Sequence, residues 1–159
     1  MVVDDEPEML AMIHQILVLE GYDVDTASNG DGALELFSKC KPDLILLDIM
    51  MPGIDGFQVL ERVREISDVP VLMLTARGDI ENKAKALIGG ADDYITKPFM
   101  TRELIARIRA KMRRAGSRVP HLRKSSALSK MLGNASETAD RRRGEDKEDG
   151  LGHPRSRSN

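Results

Sequence analysis

Two short stretches decide what this chain can fold into: Asp-Leu-Ile-Leu-Leu at 43–47 and Pro-Val-Leu-Met-Leu at 70–74. A strand with one face in water alternates apolar and polar residues. An unbroken apolar run of this length instead suits a strand covered on both faces, as in a parallel sheet. Residues 22–27 and 92–95 read as weaker strands, the second preceded by the Gly89-Gly90 break, and Met1-Val2-Val3 as the stub of another. Helical periods fill the gaps. Met9, Ile13, Ile16 and Leu17 share one face of a helix that Pro7 can open as its first residue. Ala33, Leu36, Phe37 and Cys40 form a second stripe, and Phe57, Leu60 and Val63 a third. Residues 81–88 give the weakest helical pattern, and Leu104, Ile105, Ile108 and Met112 close the series. Five βα units in a row imply an α/β fold: a doubly wound, five-stranded parallel sheet with helices on both faces, joined by right-handed crossovers.

At 159 residues the chain suffices for one domain with a substantial core, and not for two. Its formal net charge of -2 argues against nucleic-acid binding through bulk charge. The single cysteine, Cys40, excludes an internal disulfide and a cysteine-based zinc site, and its place on the helical stripe makes it a small core residue. No apolar run approaches the roughly 18 residues of a membrane span. Acidic residues at positions 4 and 5 do not fit a signal peptide, so a cytoplasmic protein is expected.

In an open parallel sheet, ligands bind beyond the carboxyl ends of the strands. The expected strands end in Asp4-Asp5, Asp48, Thr75-Ala76 and Thr96-Lys97-Pro98. Carboxylates, a hydroxyl and an ammonium therefore converge on one rim. Carboxylates this close raise one another's pKa values, and a divalent cation relieves the conflict. Oxygen ligands of this kind favour Mg²⁺, which accepts phosphate oxygens as further ligands. Lys97 offers a point charge and Thr75 a hydroxyl to phosphoryl oxygens. The chain lacks a glycine-rich nucleotide loop, paired histidine ligands and a Ser-His-Asp order. The nucleophile is then a carboxylate that takes phosphate from a donor carrying it. Taken singly, each residue has a plainer reading: Asp4-Asp5-Glu6 as acids at a helix N-terminus, the others as solvated strand ends. Their joint arrival at successive strand ends carries the argument.

These residues resemble the receiver domain of two-component response regulators. The resemblance covers residues 1–114 and rests on Val2-Val3-Asp4-Asp5-Glu6, on residues 43–56 (Asp-Leu-Ile-Leu-Leu-Asp-Ile-Met-Met-Pro-Gly-Ile-Asp-Gly), on Leu74-Thr75-Ala76-Arg77 and on residues 90–99. It implies a flavodoxin-like strand order of 2-1-3-4-5. It implies that Asp48 accepts a phosphoryl group from a phosphohistidine of a sensor histidine kinase. Asp4 and Asp5 would form the acidic pocket, with Mg²⁺ on Asp5, Asp48 and the main-chain carbonyl of Met50. Thr75, Ala76 and Lys97 would meet the phosphoryl group, Thr75 and Tyr94 would form the switch pair, and the Lys97-Pro98 bond would be cis. Residues 90–107 are most similar to the winged-helix transcription factors of this family. That similarity implies a homodimer through the fourth helix, fifth strand and fifth helix, with Lys83 facing Glu103 and Asp92 or Asp93 facing Arg107 across a two-fold axis.

Two departures from the family are expected. The first strand is shortened, which should reduce burial and stability. Residues 115–159 hold no recognisable output domain: apart from a short helix over 125–132 they read as a disordered tail. Arg141-Arg142-Arg143 is followed by Glu145-Asp146, which fits a solvated charge run, and His121 and His153 lack metal-ligand spacing. DNA binding without an output domain is therefore not expected. The alternatives are a Mg²⁺-dependent phosphatase with an aspartate nucleophile, or a regulator that binds DNA through its tail. Met50 stands where such a phosphatase carries a second acid, which favours the non-enzymatic switch with weak self-phosphorylation and self-dephosphorylation. Met50 and Arg77 flank the path of an attacking water, and the apolar Met50 predicts a long-lived phosphoryl group.

Overall fold

The computed structural model describes residues 1–76, 79–114 and 116. Arg77, His121, His153, the expected helix at 125–132 and the Arg141-Arg142-Arg143 run lie outside the described residues. Five strands alternate with five helices: β1 (Val2–Val3), α1 (Pro7–Leu19), β2 (Thr26–Ala27), α2 (Gly30–Cys40), β3 (Ile45–Asp48), α3 (Gly56–Arg64), β4 (Val71–Ala76), α4 (Ile80–Ile88), β5 (Asp93–Lys97) and α5 (Thr101–Arg114). All pairings are parallel, in the order β2-β1-β3-β4-β5, as the sequence leads one to expect.

The two-residue period of the strands divides the core in two. Val3, Ile45, Leu47, Val71 and Met73 point to the face covered by α2, α3 and α4. Val2, Leu46, Leu72, Leu74 and Ile95 point to the face covered by α1 and α5. Both faces of β3 and β4 are dry, which is why their sequences run apolar without a break. Ile13 and Leu17 of α1 and Leu104, Ile105, Ile108 and Met112 of α5 fill the second cluster, in keeping with their helical spacing. Cys40 packs at the edge of the first. The weakest helical pattern, over 81–88, does form α4; Ala86 is its buried residue, while Ile80, Leu87 and Ile88 are exposed.

The strand expected over 22–27 contracts to Thr26–Ala27. Its neighbour β1 offers two residues to pair with, Val2 to Thr26 and Val3 to Ala27, so the ladder ends there. Tyr22 and Val24 instead pack against the apolar cluster under α1. The short β1 is nonetheless held on both sides. Val2 and Val3 are fully buried, the Val2 N–H donates to the Asp25 carbonyl at 2.8 Å, and the Leu46 N–H to the Met1 carbonyl at 2.9 Å.

The helix starts are written locally. Pro7 is the first residue of α1, the Asn29 side chain caps α2 through the Gly32 N–H, and Asp55 and Gln58 form a reciprocal capping box on α3. All these ends lie past strand C-termini and bring helix N-termini to the rim where the acidic residues stand.

Candidate functional site

Parallel strands carry each chain end to the same rim, so the last residue of each strand and the one after it become neighbours. Asp4 follows β1 and is fully buried; Asp48 ends β3 and is 5% exposed; Thr75 lies near the end of β4 and is 1% exposed. Lys97 ends β5, and its side chain reaches across the rim. Its Nζ stands 2.8 Å from Asp4 Oδ2, 3.3 Å from Glu6 Oε1 and 3.4 Å from Asp48 Oδ1. The Lys97-Pro98 bond that follows is cis.

One ammonium among three carboxylates leaves an excess of negative charge in a confined place. Burial pushes the Asp48 carboxyl up from 3.8 to about 7; Lys97 pulls the other way, while the charges of Asp4 and Asp5 add to the rise. Burial also works against the Lys97 ammonium, but its hydrogen bond to Asp4 and the charge of Asp48 prevail, and its pKa stands above the ordinary value. At neutral pH Asp48 is therefore poised between its acid and its anion.

Carboxylate oxygens of Asp4, Glu6 and Asp48 lie within 4.8 Å of one another. An all-oxygen set of this charge fits a hard divalent cation such as Mg²⁺ and offers nothing to a soft one. Glu6 is the member sequence reasoning did not single out, although it completes the Asp-Asp-Glu run. Asp5, expected as a ligand, adds no oxygen to this group, yet its charge registers at Asp48. The Asp4 side chain also accepts the Glu6 N–H at 3.0 Å, so the run works as a local turn and not as a helix cap.

The Thr75 hydroxyl makes a long contact of 3.4 Å to the Ala76 carbonyl. It is thus held loosely beside Asp48. Tyr94, on β5, packs half-buried against the first core cluster, with Lys83 Nζ 5.1 Å from its ring centre. The Met50 side chain points outward and is 67% exposed.

Of the charges expected to pair between two chains, Arg107, Asp93, Asp92 and Glu103 are paired within one. Arg107 holds both carboxylate oxygens of Asp93 at 3.0 Å and Glu103 at 3.1 Å, and Lys111 lies 3.6 Å from Asp93. Asp92 faces elsewhere: it accepts the Val71 N–H at 2.8 Å and pairs with Arg64 at 2.8 Å. Of the two aspartates, Asp93 is the one beside Arg107.

A doubly wound sheet with this strand order, carrying buried acids, a hydroxyl and a lysine at its carboxyl rim, defines a receiver-type domain of the flavodoxin-like class. The chain belongs to the response-regulator receiver domain family, whose model matches residues 1–109. It is 49% identical over 114 residues to the probable transcriptional regulator ycf27 of Guillardia theta, covering 72% of this chain and 45% of that protein. It is 47% identical over 117 residues to the transcriptional regulatory protein TrcR of Mycobacterium tuberculosis, again 72% of this chain and 45% of the relative. A crystal structure of a putative response regulator from Chloroflexus aurantiacus superposes with a TM-score of 0.68 at 38% identity, covering 70% of this chain and 94% of the other. The chain spans about half the length of the curated relatives it matches. Among the described residues, no helix is long and apolar enough to cross a membrane.

Proposed function

We infer that this receiver domain is the phosphorylated switch of a two-component pathway and that Asp48 is its phosphoacceptor. The supporting observation is the placement of Asp48. It is a buried carboxylate 3.4 Å from the Lys97 ammonium, beside Asp4, Glu6 and the loosely held Thr75 hydroxyl. An Asp48 oxygen attacks the phosphorus of a sensor kinase phosphohistidine; the P–O bond forms as the P–N bond breaks, and the imidazole leaves with the bonding pair. Asp4, Asp5, Asp48 and the Met50 carbonyl would hold Mg²⁺. When bound, the ion offsets the charge of the carboxylates and of the incoming phosphoryl oxygens. Lys97, now shared among three carboxylates, turns to the new acceptor oxygens.

Phosphorylation adds strong acceptors beside Thr75 and the Ala76 N–H. Thr75 then gains a hydrogen bond that the resting state lacks, and this difference drives Tyr94 inward and shifts the two-state balance. The shifted state pairs with a second copy through α4, β5 and α5, using Lys83, Asp93, Glu103 and Arg107, with Asp92 at the margin. Leu87, half exposed on α4, adds apolar surface to that face. Residues 1–114 constitute the switch. By the names of the relatives, the output regulated is transcription.

Incubation of the full chain with acetyl phosphate and Mg²⁺, read by intact mass, tests the reading. One phosphoryl group is expected on the wild type, with none on Asp48→Ala and none without the metal. A folded wild-type chain that gains no phosphoryl group refutes it.

A further inference from the structure

The β3–α3 loop carries Met50 from the end of β3 to the start of α3, and two glycines fix where it lies. The Gly56 N–H donates to the Ile49 carbonyl at 3.0 Å, closing the loop on itself. Ile49 and Met51 are buried on either side of the exposed Met50. At the sheet end, α3 approaches so closely that a methyl group on Gly56 would overlap the Asp48 carbonyl. On the outer side, the first residue of α2 stops the loop. A Cβ on Gly30 would stand 2.5 Å from the Ile54 carbonyl oxygen, 2.7 Å from its Cβ and 2.9 Å from its Cγ2. Real Cβ atoms do not approach backbone that closely, so the need at Gly30 is for space. Nothing of the kind holds two residues on: a Cβ on Gly32 meets the Asn29 side-chain oxygen at 3.2 Å and no backbone within 4 Å.

We propose that Gly30, on α2, is a positioning residue for the Mg²⁺ site, acting through Ile54 and the β3–α3 loop to set the Met50 carbonyl. The inference rests on the metal reading given above and deepens it. The loop is short, closed by Gly56 and bracketed on both flanks, and Gly53, at φ +75° with nothing near it, is the residue freest to yield when Ile54 is displaced. The part of the shift that Gly53 does not take up passes through Pro52 and Met51 to the Met50 carbonyl, while Asp48, in β3, and Asp4, directly after β1, stay in place. A metal site loses affinity when one ligand leaves its position even though the others remain.

The test is a Mg²⁺ titration of the unphosphorylated full chain, followed by its thermal midpoint, with no phosphodonor present. Ligand binding to the folded state raises the midpoint with metal concentration. Gly30→Ala is expected to need about tenfold more Mg²⁺ than wild type for the same rise, the scale of lost outer-shell support. Gly32→Ala, the same change two positions past the contact, should titrate as wild type. The midpoint without metal reports general destabilisation separately. If Gly30→Ala does not fold, Ile54→Ala decides, because Ile54 is partly exposed and its truncation removes the buttress from the other side. It should also shift the titration to higher Mg²⁺. A folded Gly30→Ala or Ile54→Ala chain that titrates as wild type overturns the proposal. A wild-type chain with no response to Mg²⁺ overturns the metal reading itself, and this inference with it.

Discussion

Replacing Asp48 by Asn should stabilise the metal-free protein, and the gain should depend on pH in a defined way. Asp48 is 5% exposed, and burial pushes its carboxyl from 3.8 to about 7 in the folded state. A group whose pKa is raised on folding is disfavoured in its ionised form. Its cost is absent below about 4, grows as pH rises towards 7, and is constant above that. At about 1.4 kcal/mol per pH unit, the ceiling is about 4 kcal/mol. Lys97 is already included in that value, and solvent reaching the rim reduces it to about 2 kcal/mol. For a domain of this size, about 2 kcal/mol moves the midpoint by roughly 8 °C. Asn keeps the shape and carries no charge, and Lys97 retains Asp4 at 2.8 Å. Melting both proteins in chelator at pH 8 and at pH 4 should show Asp48→Asn higher by that margin at pH 8 and level with wild type at pH 4. An equal difference at both pH values would refute the reasoning, since it would owe nothing to ionisation; so would a less stable Asp48→Asn protein at pH 8.

Three further outcomes are expected. Met50→Asn, which puts a polar side chain at an outward-facing position beside the acceptor, should speed loss of the phosphoryl group severalfold, as followed by mass after removal of acetyl phosphate. Lys97→Met should abolish most phosphorylation. It should also cost about 2 kcal/mol in urea at pH 7.5, because the buried Asp4 and Asp48 are left without a cation, and the penalty should shrink at acid pH. Arg64→Met should cost about 2 kcal/mol of stability without altering Mg²⁺ dependence: Arg64 donates to the carbonyls of Ser67, Val69 and Gly90 and to Asp92.

Where hydrophobic burial alone decides structure, the sequence is readable. β3 and β4 are dry on both faces and run apolar, and α5 buries the four residues its spacing selects. Where a strand depends on its neighbour, the pattern misleads. Residues 22–27 look extended, but two residues of β1 set the length of β2. Helix α4 is the least readable of the five for a related reason. Its large apolar residues Ile80, Leu87 and Ile88 stay exposed, and α4, at the sheet margin, turns the small Ala86 inward. Small residues hide close contacts altogether. Nothing in the sequence distinguishes Gly30, pressed against Ile54, from Gly32 two positions on.

The candidate site was legible for a different reason. A parallel sheet sends every strand end to one rim, so topology alone assembles Asp4, Asp48, Thr75 and Lys97 once the strands are placed. What topology does not specify is which of several equal charges a given cation chooses. Lys97 reaches Glu6 as well as the aspartates, and Glu6 differs from Asp5 in reach, not in charge. The same ambiguity governs the face formed by α4, β5 and α5. Charge alone lets Arg107 serve a neighbouring chain, yet Asp93 and Glu103 lie within reach on its own. A dimer through this face must therefore exchange existing ion pairs for new ones. An exchange between exposed pairs is nearly neutral in energy, so the bias has to come from elsewhere; in the function proposed above it comes through Tyr94, which is seated between Lys83 and the core.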